Sequence, residues 1–352
     1  MSFENGLIDL RSDTVTHPTP AMRKAMAEAE VGDDVFGDDP TVNRLQELAG
    51  ALTGHEAGLF VASGTMANLV ALLTHCALVR GAEVIVGDKS HTFLNETGGM
   101  AALGGIQPFP VPNQPDGTLR LGDIEAAIRT EDVHHPRTRL VCVENTQNLC
   151  GGACLTPEYT RQVADLAHAH GLTLHLDGAR IFNAAVAQGV AAPALATPAD
   201  SVMFCLSKGL SAPVGSVLCG SKDFIAEARR CRKMVGGGMR QAGVIAAAGI
   251  VALETMVERL EDDHANARRL ADGLRAIPGL EVDPASPKTN MVYFNLASDL
   301  ALSAAVVATR MRSHGIVLDA ENSRRFRLVT HYCVSAADVG TVVAAFASVL
   351  NA

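Results

Sequence analysis

Two stretches of this chain place an ionisable side chain directly behind an apolar run. His175-Leu176-Asp177-Gly178-Ala179-Arg180 closes one run, and Leu206-Ser207-Lys208-Gly209 closes another. Parallel α/β sheets build their sites at the C-terminal ends of strands, so Asp177 and Lys208 could face one bound molecule. A lysine amine there suits a Schiff base with an aldehyde, and a carboxylate suits a protonated pyridine nitrogen. Together they are what pyridoxal 5'-phosphate requires to act as an electron sink. Asp-Gly turns and Ser-Lys-Gly loops are common, so spacing alone also allows an ion pair or two unrelated surface residues. Ser63-Gly64-Thr65 adds a third point, because it stands between an apolar run and a helical pattern, where backbone N–H groups and a hydroxyl bind an anion such as phosphate. Other phosphate motifs fail. Gly215 to Lys222 has P-loop glycine spacing but carries Ser221 where lysine is needed, and no GxGxxG follows a strand.

Further candidates surround this set. His91, behind the apolar Val84 to Val86 run, could stack on a cofactor ring or accept a proton, or be an ordinary hydrogen-bonded loop residue. His134-His135 reads as polar loop by default. Arg180 follows Asp177 by three residues, and Arg327 alternates with Phe326 and Leu328, which puts it on the opposite strand face. Either guanidinium could fork onto a substrate carboxylate or be simply exposed. Cys150 and Cys154 lack a second ligand pair for zinc, and Asp33, Asp34, Asp38 and Asp39 lack the glutamate that closes a calcium loop. No metal is expected.

The elements that must position these residues follow from hydrophobic pattern. Strands are expected at Gly58 to Ala62, Glu83 to Val86, Leu140 to Glu144, Thr173 to Leu176, Ser201 to Leu206 and Gly215 to Cys219, several uniformly apolar as strands covered on both faces should be. Asp39-Pro40 opens a helix running to about Leu52, and another spans Met66 to Val79. Helices alternating with such strands predict a three-layer α/β/α domain with a mainly parallel sheet. After Gly236-Gly237-Gly238 comes a helix-rich segment to Leu274, then a strand at Met291 to Leu296, a helix to about Ser313, a strand at Arg325 to Val329 and a final helix from Ser335. A large domain over 1–250, including the N-terminal segment, and a smaller α+β domain over 251–352 are the expected division.

Composition excludes several classes. The chain has 352 residues, 48% hydrophobic and 19% charged, enough apolar material for a large core. Lys+Arg of 29 against Asp+Glu of 38 gives a net charge of -9, which opposes nucleic acid and anionic membrane surfaces. The longest apolar stretch, Gly243 to Leu253, is too short for a membrane span, and the first twenty residues lack a signal-peptide core. Eight cysteines scattered in apolar surroundings read as reduced, and a cytoplasmic location is expected.

At this point the residues resemble a known family. The chain is similar over nearly its whole length to the low-specificity L-threonine aldolases of the fold-type I, pyridoxal-phosphate-dependent β-eliminating lyase group. The likeness runs through Ile8 to Thr16, Val31 to Thr41, Ser63 to Asn68, Glu144-Asn145-Thr146, His175 to Arg180, Leu206 to Leu210, Arg232-Lys233-Met234 with Gly236 to Gln241, and Arg327 to His331. The resemblance implies that Lys208 carries the cofactor, Asp177 holds the pyridine nitrogen protonated, Gly64 and Thr65 bind the phosphate, and His91 stacks on the ring. Ser12, Arg180 and Arg327 would hold the substrate carboxylate. Lys233 and Arg240 would reach the phosphate region across a subunit interface in a homotetramer, a dimer of dimers.

The implied reaction is reversible retro-aldol cleavage of L-threonine, L-allo-threonine and related β-hydroxy-α-amino acids to glycine and an aldehyde, with His91 or His134 as the base for the hydroxyl proton. β-Elimination and transamination use the same cofactor linkage and are the nearest alternatives; a non-catalytic cofactor-binding protein is the remaining one. Three positions depart from the family pattern: Asn95 where an aromatic is frequent, Gln147 where a histidine is frequent, and Phe36 where a tyrosine is frequent. All three are expected to touch the pocket for the substrate side chain.

Overall fold

Alternating apolar runs and helices assemble around one central sheet in the computed structural model, which describes residues 6–351. The chain enters through a short strand β1 (Ile8–Asp9), then α1 (Pro20–Ala27), α2 (Pro40–Thr53), β2 (Ala57–Val61), α3 (Gly64–His75), β3 (Ala82–Gly87), α4 (His91–Leu94), α5 (Gly99–Ala102) and β4 (Gln107–Val111). It continues with α6 (Leu121–Ala127), β5 (Arg137–Glu144), α7 (Pro157–Ala169), β6 (Thr173–Asp177), α8 (Ile181–Gln188), α9 (Ala192–Ala196), β7 (Ser201–Cys205), β8 (Ser216–Gly220), α10 (Lys222–Met234) and α11 (Gly243–Thr255). The C-terminal part comprises α12 (Leu260–Arg275), β9 (Leu280–Val282), β10 (Met291–Leu296), α13 (Ala304–Ser313), β11 (Ile316–Val317), β12 (Arg325–Val329) and α14 (Ala336–Asn351).

Seven strands pair in the order β2-β8-β7-β6-β5-β3-β4. Strand β8 runs antiparallel to both neighbours, and the other pairings are parallel. Period-two alternation sends Leu174, Leu176, Val202 and Phe204 into one apolar layer, while Met203 and Cys205 join Leu69, Val70 and Leu73 of α3 in the other. Thr173, His175 and Asp177, offset by one residue from the leucines, therefore fall on the α3 face. A polar seam therefore runs along this face.

Two elements differ from the expectation. Strand β4 was not anticipated because Pro108 and Pro110 interrupt it; it is an edge strand, and Val111 turns its carbonyl toward the β3 side to accept from Asp88 N. Alternation then points Phe109 the same way and leaves the prolines, which lack N–H groups, facing no strand. Helix α3 stops at His75, four residues before Val79, because Ala77 and Leu78 adopt φ of 50° and 57°. Leu78 N donates to Leu73 O and Ala77 N to Thr74 O, a Schellman closure made without glycine.

The smaller sheet, β12-β10-β9, is antiparallel and packs with Phe294, Phe326 and Phe346 in its core. Its hydrophobic cluster includes Ile8 and Leu10, and β1 pairs in parallel with β11. The cores thus divide the chain differently from a break at 250 with the N-terminal segment in the large domain. Residue 250 lies inside α11, which packs on α1 and α2, and the first strand belongs to the C-terminal core, where it pairs with β11 and buries Ile8 and Leu10.

Candidate active site

One cavity opens at the C-terminal ends of β5, β6 and β7, where α3 begins. Its walls include Gly64, Thr65 and Asn68 of α3, His91, Glu144, Asp177, Arg180 and Lys208. Asp177 is the last residue of β6 and is 1% exposed. Its carboxylate accepts from Asn68 Nδ2 at 2.9 Å and from Ala179 N at 3.1 Å. Lys208 follows β7; Thr16 Oγ1 donates to its backbone carbonyl at 3.0 Å, and no carboxylate among the described residues pairs with its amine. An amine facing a cavity without a salt-bridge partner is available for covalent chemistry.

Helix α3 starts with Ser63 as N-cap, whose hydroxyl accepts from Met66 N, so Gly64 and Thr65 present first-turn N–H groups that have no intrahelical acceptor. Glycine at 64 lets the backbone come close: a Cβ there would lie 2.9 Å from Cys205 Sγ and 3.1 Å from Met203 Cε, which would have to shift. The helix terminus can therefore approach the strand ends and offer its dipole to an anion at the cavity.

Behind these residues runs a chain of buried acids. Asn68 Nδ2 also donates to Glu96 Oε1 at 2.8 Å, and Glu96 accepts from His91 Nδ1 at 3.0 Å. His91 N donates to Glu144 Oε2 at 2.8 Å, while Glu144 Oε1 accepts from Asn148 N at 2.9 Å. Burial, then the charge of Asp177, raises the Glu144 carboxyl. Burial also raises Glu96, whereas the hydrogen bond to Glu96 raises His91 above its ordinary 6.5 against a smaller opposing effect of burial. The Nδ1–H to Glu96 leaves His91 Nε2 as the atom able to take a proton. His91, Glu96 and Asp177 have ligand atoms within 4.8 Å of one another, and Asn68 and His91 donate to the two carboxylates, an arrangement that also suits an acid–base network.

Two arginines flank the cavity differently from each other. Arg180 is 7% exposed, and its guanidinium forks onto Asp13 through Nε at 2.7 Å and Nη2 at 2.6 Å. Asp13 is held well below the usual carboxylate range; burial opposes this, and the charge and hydrogen bonds of Arg180 outweigh it. A substrate carboxylate could meet only the N–H groups of Arg180 that Asp13 leaves over. Arg327 donates to Asn148 Oδ1 at 3.0 Å and to Arg11 O at 3.2 Å and lines an adjoining cavity with Arg11, Asn95 and Asn148. His91 and Asn148 line both cavities, so the two adjoin.

The chain does not bring every expected residue to the site. His134 is exposed on the loop before β5, paired with Asp132 at 2.7 Å, and does not line the cavity. The reason is topological: it precedes a parallel strand, and the site lies at that strand's far end. Lys233 is exposed at the end of α10, and Arg240 pairs with Asp33 at 2.9 Å; neither lines the cavity within one chain. Ser12 caps the turn Asp13–Val15 by accepting from Thr14 N, beside Arg11 and Asp13. Gln147 is fully buried and braces the loop after β5, donating to Lys89 O at 2.7 Å and accepting from Cys150 N at 2.8 Å, so it does not face the side-chain pocket. Asn95 does line the adjoining cavity, and Phe36 is 77% exposed on the surface.

Asp13, Asn68, Glu96 and Glu144 were assigned no role from sequence. Three of them stand inside the motifs quoted above, but their work is to hold other side chains, which no linear spacing shows. Glu96, five residues after His91, fits no helical or strand period.

A mainly parallel sheet with a lysine, an aspartate and a helix N-terminus gathered at its strand ends defines the class of fold-type I α/β enzymes. The chain belongs to the beta-eliminating lyase family, which matches residues 9–297. It is 50% identical to a probable low-specificity L-threonine aldolase 2 of Arabidopsis thaliana, over 98% of this chain and 97% of that protein. It is 47% identical to the low specificity L-threonine aldolase of Escherichia coli K12, over 96% and 98%. Among solved structures, Leishmania major threonine aldolase superposes with a TM-score of 0.81 at 22% identity, covering 97% of this chain and 99% of that one.

Proposed function

We propose that this chain is a pyridoxal 5'-phosphate-dependent aldolase that cleaves L-threonine, L-allo-threonine and related β-hydroxy-α-amino acids, reversibly, to glycine and an aldehyde. The observation that carries the reading is the convergence of Lys208, Asp177 and the glycine-started α3 on one cavity that Arg180 also lines, with Arg327 in the cavity beside it. The donor set fits the cofactor: an amine without an ion-pair partner for its aldehyde, a carboxylate for its ring nitrogen, and open N–H groups at Gly64 and Thr65 for its phosphate. Bound there, pyridoxal phosphate would supply an aldehyde that links the substrate amine and a ring that accepts the electron pair of the broken Cα bond.

The chain's own residues would select which bond that is. Arg327, with the N–H groups of Arg180 not taken by Asp13, would hold the substrate carboxylate, and Ser12 stands beside Asp13 to assist. A carboxylate fixed at that edge leaves the β-hydroxyl toward the cavity shared by His91 and Asn95. His91 Nε2 would take the hydroxyl proton, and Glu96 on Nδ1 would steady the resulting positive charge. Asp177, fixed by Asn68 and Ala179 N, would keep its free lone pairs on the ring nitrogen. The names and near-complete coverage of the relatives at 47% and 50% identity support the substrate class.

The proposed assembly is a homotetramer whose sites lie at dimer interfaces, with Lys233 and Arg240 of one subunit supplying positive charge near the phosphate of another. Support comes from Phe36, Met234 and Val244, large apolar side chains exposed around these two basic residues. Eight unpaired cysteines support a reducing, cytoplasmic setting, and no helix among the described residues is long and apolar enough to cross a membrane.

The test replaces Lys208. Lys208→Ala is expected to lose at least 10³-fold in turnover, an order-of-magnitude figure for a missing covalent group, and to lose the visible absorbance of the linked cofactor. Full turnover by Lys208→Ala would overturn the assignment. 2-Oxobutanoate and ammonia from L-threonine, as products of the intact enzyme, would replace retro-aldol cleavage with β-elimination.

A further inference from the structure

The polar seam on the α3 face of the sheet continues well beyond the cavity. Asp177 is followed backwards along β6 by His175 and Thr173, at two-residue steps on one face. Ser201 of β7 stands directly opposite His175 in the strand register. Helix α3 lays Asn68 and His75, seven residues or two turns apart, over the same strip. The side chains join end to end. His175 Nε2 is 3.1 Å from Asn68 Oδ1 and His175 Nδ1 is 2.8 Å from Ser201 Oγ; His75 Nε2 is 2.7 Å from the same hydroxyl, and His75 Nδ1 is 3.1 Å from Thr173 Oγ1.

The direction of the protons from Asn68 to His75 follows from the donors that Asn68 must supply. Asn68 turns its NH2 toward two carboxylates, Asp177 and Glu96, which need donors, so its Oδ1 must accept. His175, buried and pushed down to about 3, is neutral, and its one proton must therefore sit on Nε2. Its Nδ1 then accepts from Ser201 O–H. Having given its proton, Ser201 Oγ accepts from His75 Nε2–H, which leaves His75 Nδ1 to accept from Thr173 O–H. His75 is also neutral, lowered to about 4 by burial. Reversing a link between Asn68 and His75 would leave a polar group of the seam unpaired, whereas the Thr173 hydroxyl at the far end has a second acceptor, Arg139 O at 3.5 Å, beside the nearer His75 Nδ1.

We infer that Thr173, His75, Ser201 and His175 form a one-directional hydrogen-bond relay that fixes Asn68 and thereby holds Asp177 in register as the partner of the cofactor's ring nitrogen. These four are positioning residues, none of which lines the cavity. The inference rests on the assignment of Asp177 made above. Its physical content is that the carboxylate which must face the ring is oriented by a polar spine running the length of β6 to His75 at the other end of α3, which Phe224 covers at a ring distance of 4.5 Å. A second neutral histidine and a hydroxyl at the α3–sheet contact would otherwise be polar groups where apolar side chains pack as well.

The experiment uses 15N-labelled full-length protein, with and without pyridoxal phosphate. Ser201→Ala cuts the relay next to His175, and Thr173→Val, nearly isosteric in a strand, removes its last donor. In the unsubstituted protein without cofactor, imidazole 15N shifts should show both His75 and His175 as the neutral Nε2–H tautomer. Ser201→Ala should mix the His175 tautomers, weaken pyridoxal phosphate binding by about tenfold and lower kcat by a similar factor at unchanged KM. Thr173→Val should shift the His75 tautomer and change binding about twofold to threefold, so the effect decays with distance from Asp177. A His175 found as the Nδ1–H tautomer, or Ser201→Ala with native affinity and kcat, overturns the inference. Asp177→Asn measured alongside locates such a failure. If Asp177→Asn alone weakens the cofactor, the relay is wrong and the site assignment stands; if neither variant does, both fall.

Discussion

His91 shows how one residue's chemistry depends on the side chain behind it. Its Nδ1–H goes to Glu96, which is 6% exposed, and that bond raises the imidazole above 6.5. A base must be neutral to take a proton, so activity should rise with pH through a limb lying above 6.5. The pH profile of kcat/KM checks this directly. Glu96→Gln removes the charged acceptor and should move the limb down, whereas His91→Asn should flatten it and lower kcat by roughly 10²-fold to 10⁴-fold. An unmoved limb in both variants would assign the proton transfer elsewhere. At this scale the sequence points to several residues that line the cavity and is silent on those that hold another side chain in place. Lys208, Asp177, His91 and Arg327 stand in motifs whose residue types suggest their chemistry. The grip of Asp13 on the Arg180 fork and the brace that Gln147 gives its loop arise only once distant segments meet.

Elements were legible where local signals agree with tertiary demand. Asp39-Pro40 predicts a helix start, and the structure makes Asp39 the N-cap of α2 with Val42 N donating at 2.9 Å. The same carboxylate does more than a cap requires, since it also accepts from Gly243 N at 2.8 Å and Gly32 N at 3.2 Å, joining the starts of α2 and α11. A Cβ on Gly243 would lie 2.5 Å from it, which explains the glycine. Asp39→Ala should therefore cost more than the usual ~1 kcal/mol of a lost cap, about 2–4 kcal/mol once the orphaned buried N–H groups are included, measured as a shift in urea midpoint at constant slope. A loss near 1 kcal/mol would mean water replaces the two longer-range bonds. Strand β4 and the end of α3 escaped notice for opposite reasons. Prolines disguise an edge strand that needs its N–H groups on one side only, and left-handed Ala77 and Leu78 end a helix that their propensities would extend.

At the scale of the whole molecule, composition and periodicity reveal an α/β architecture, but they do not say which core a segment joins. Ile8 and Leu10 cross to the C-terminal core because strand pairing with β11 and burial among Phe294 and Phe326 satisfy both their backbone and their side chains. The surface carries a further consequence. Phe36 is 77% exposed on a loop tied to Arg240 through Asp33, and in the proposed assembly it is covered by a second subunit. Phe36→Arg should lower the sedimenting mass and weaken cofactor binding together, and an unchanged mass would remove this face from the interface. The central claim is the reaction itself, and the most direct measurement is release of acetaldehyde and glycine from L-threonine and L-allo-threonine, side by side, with pyridoxal phosphate present. Equal amounts of the two products from at least one isomer are predicted, with the ratio of the two rates reporting the influence of Asn95 beside His91. Neither product from either isomer, or 2-oxobutanoate and ammonia in their place, would contradict the assignment.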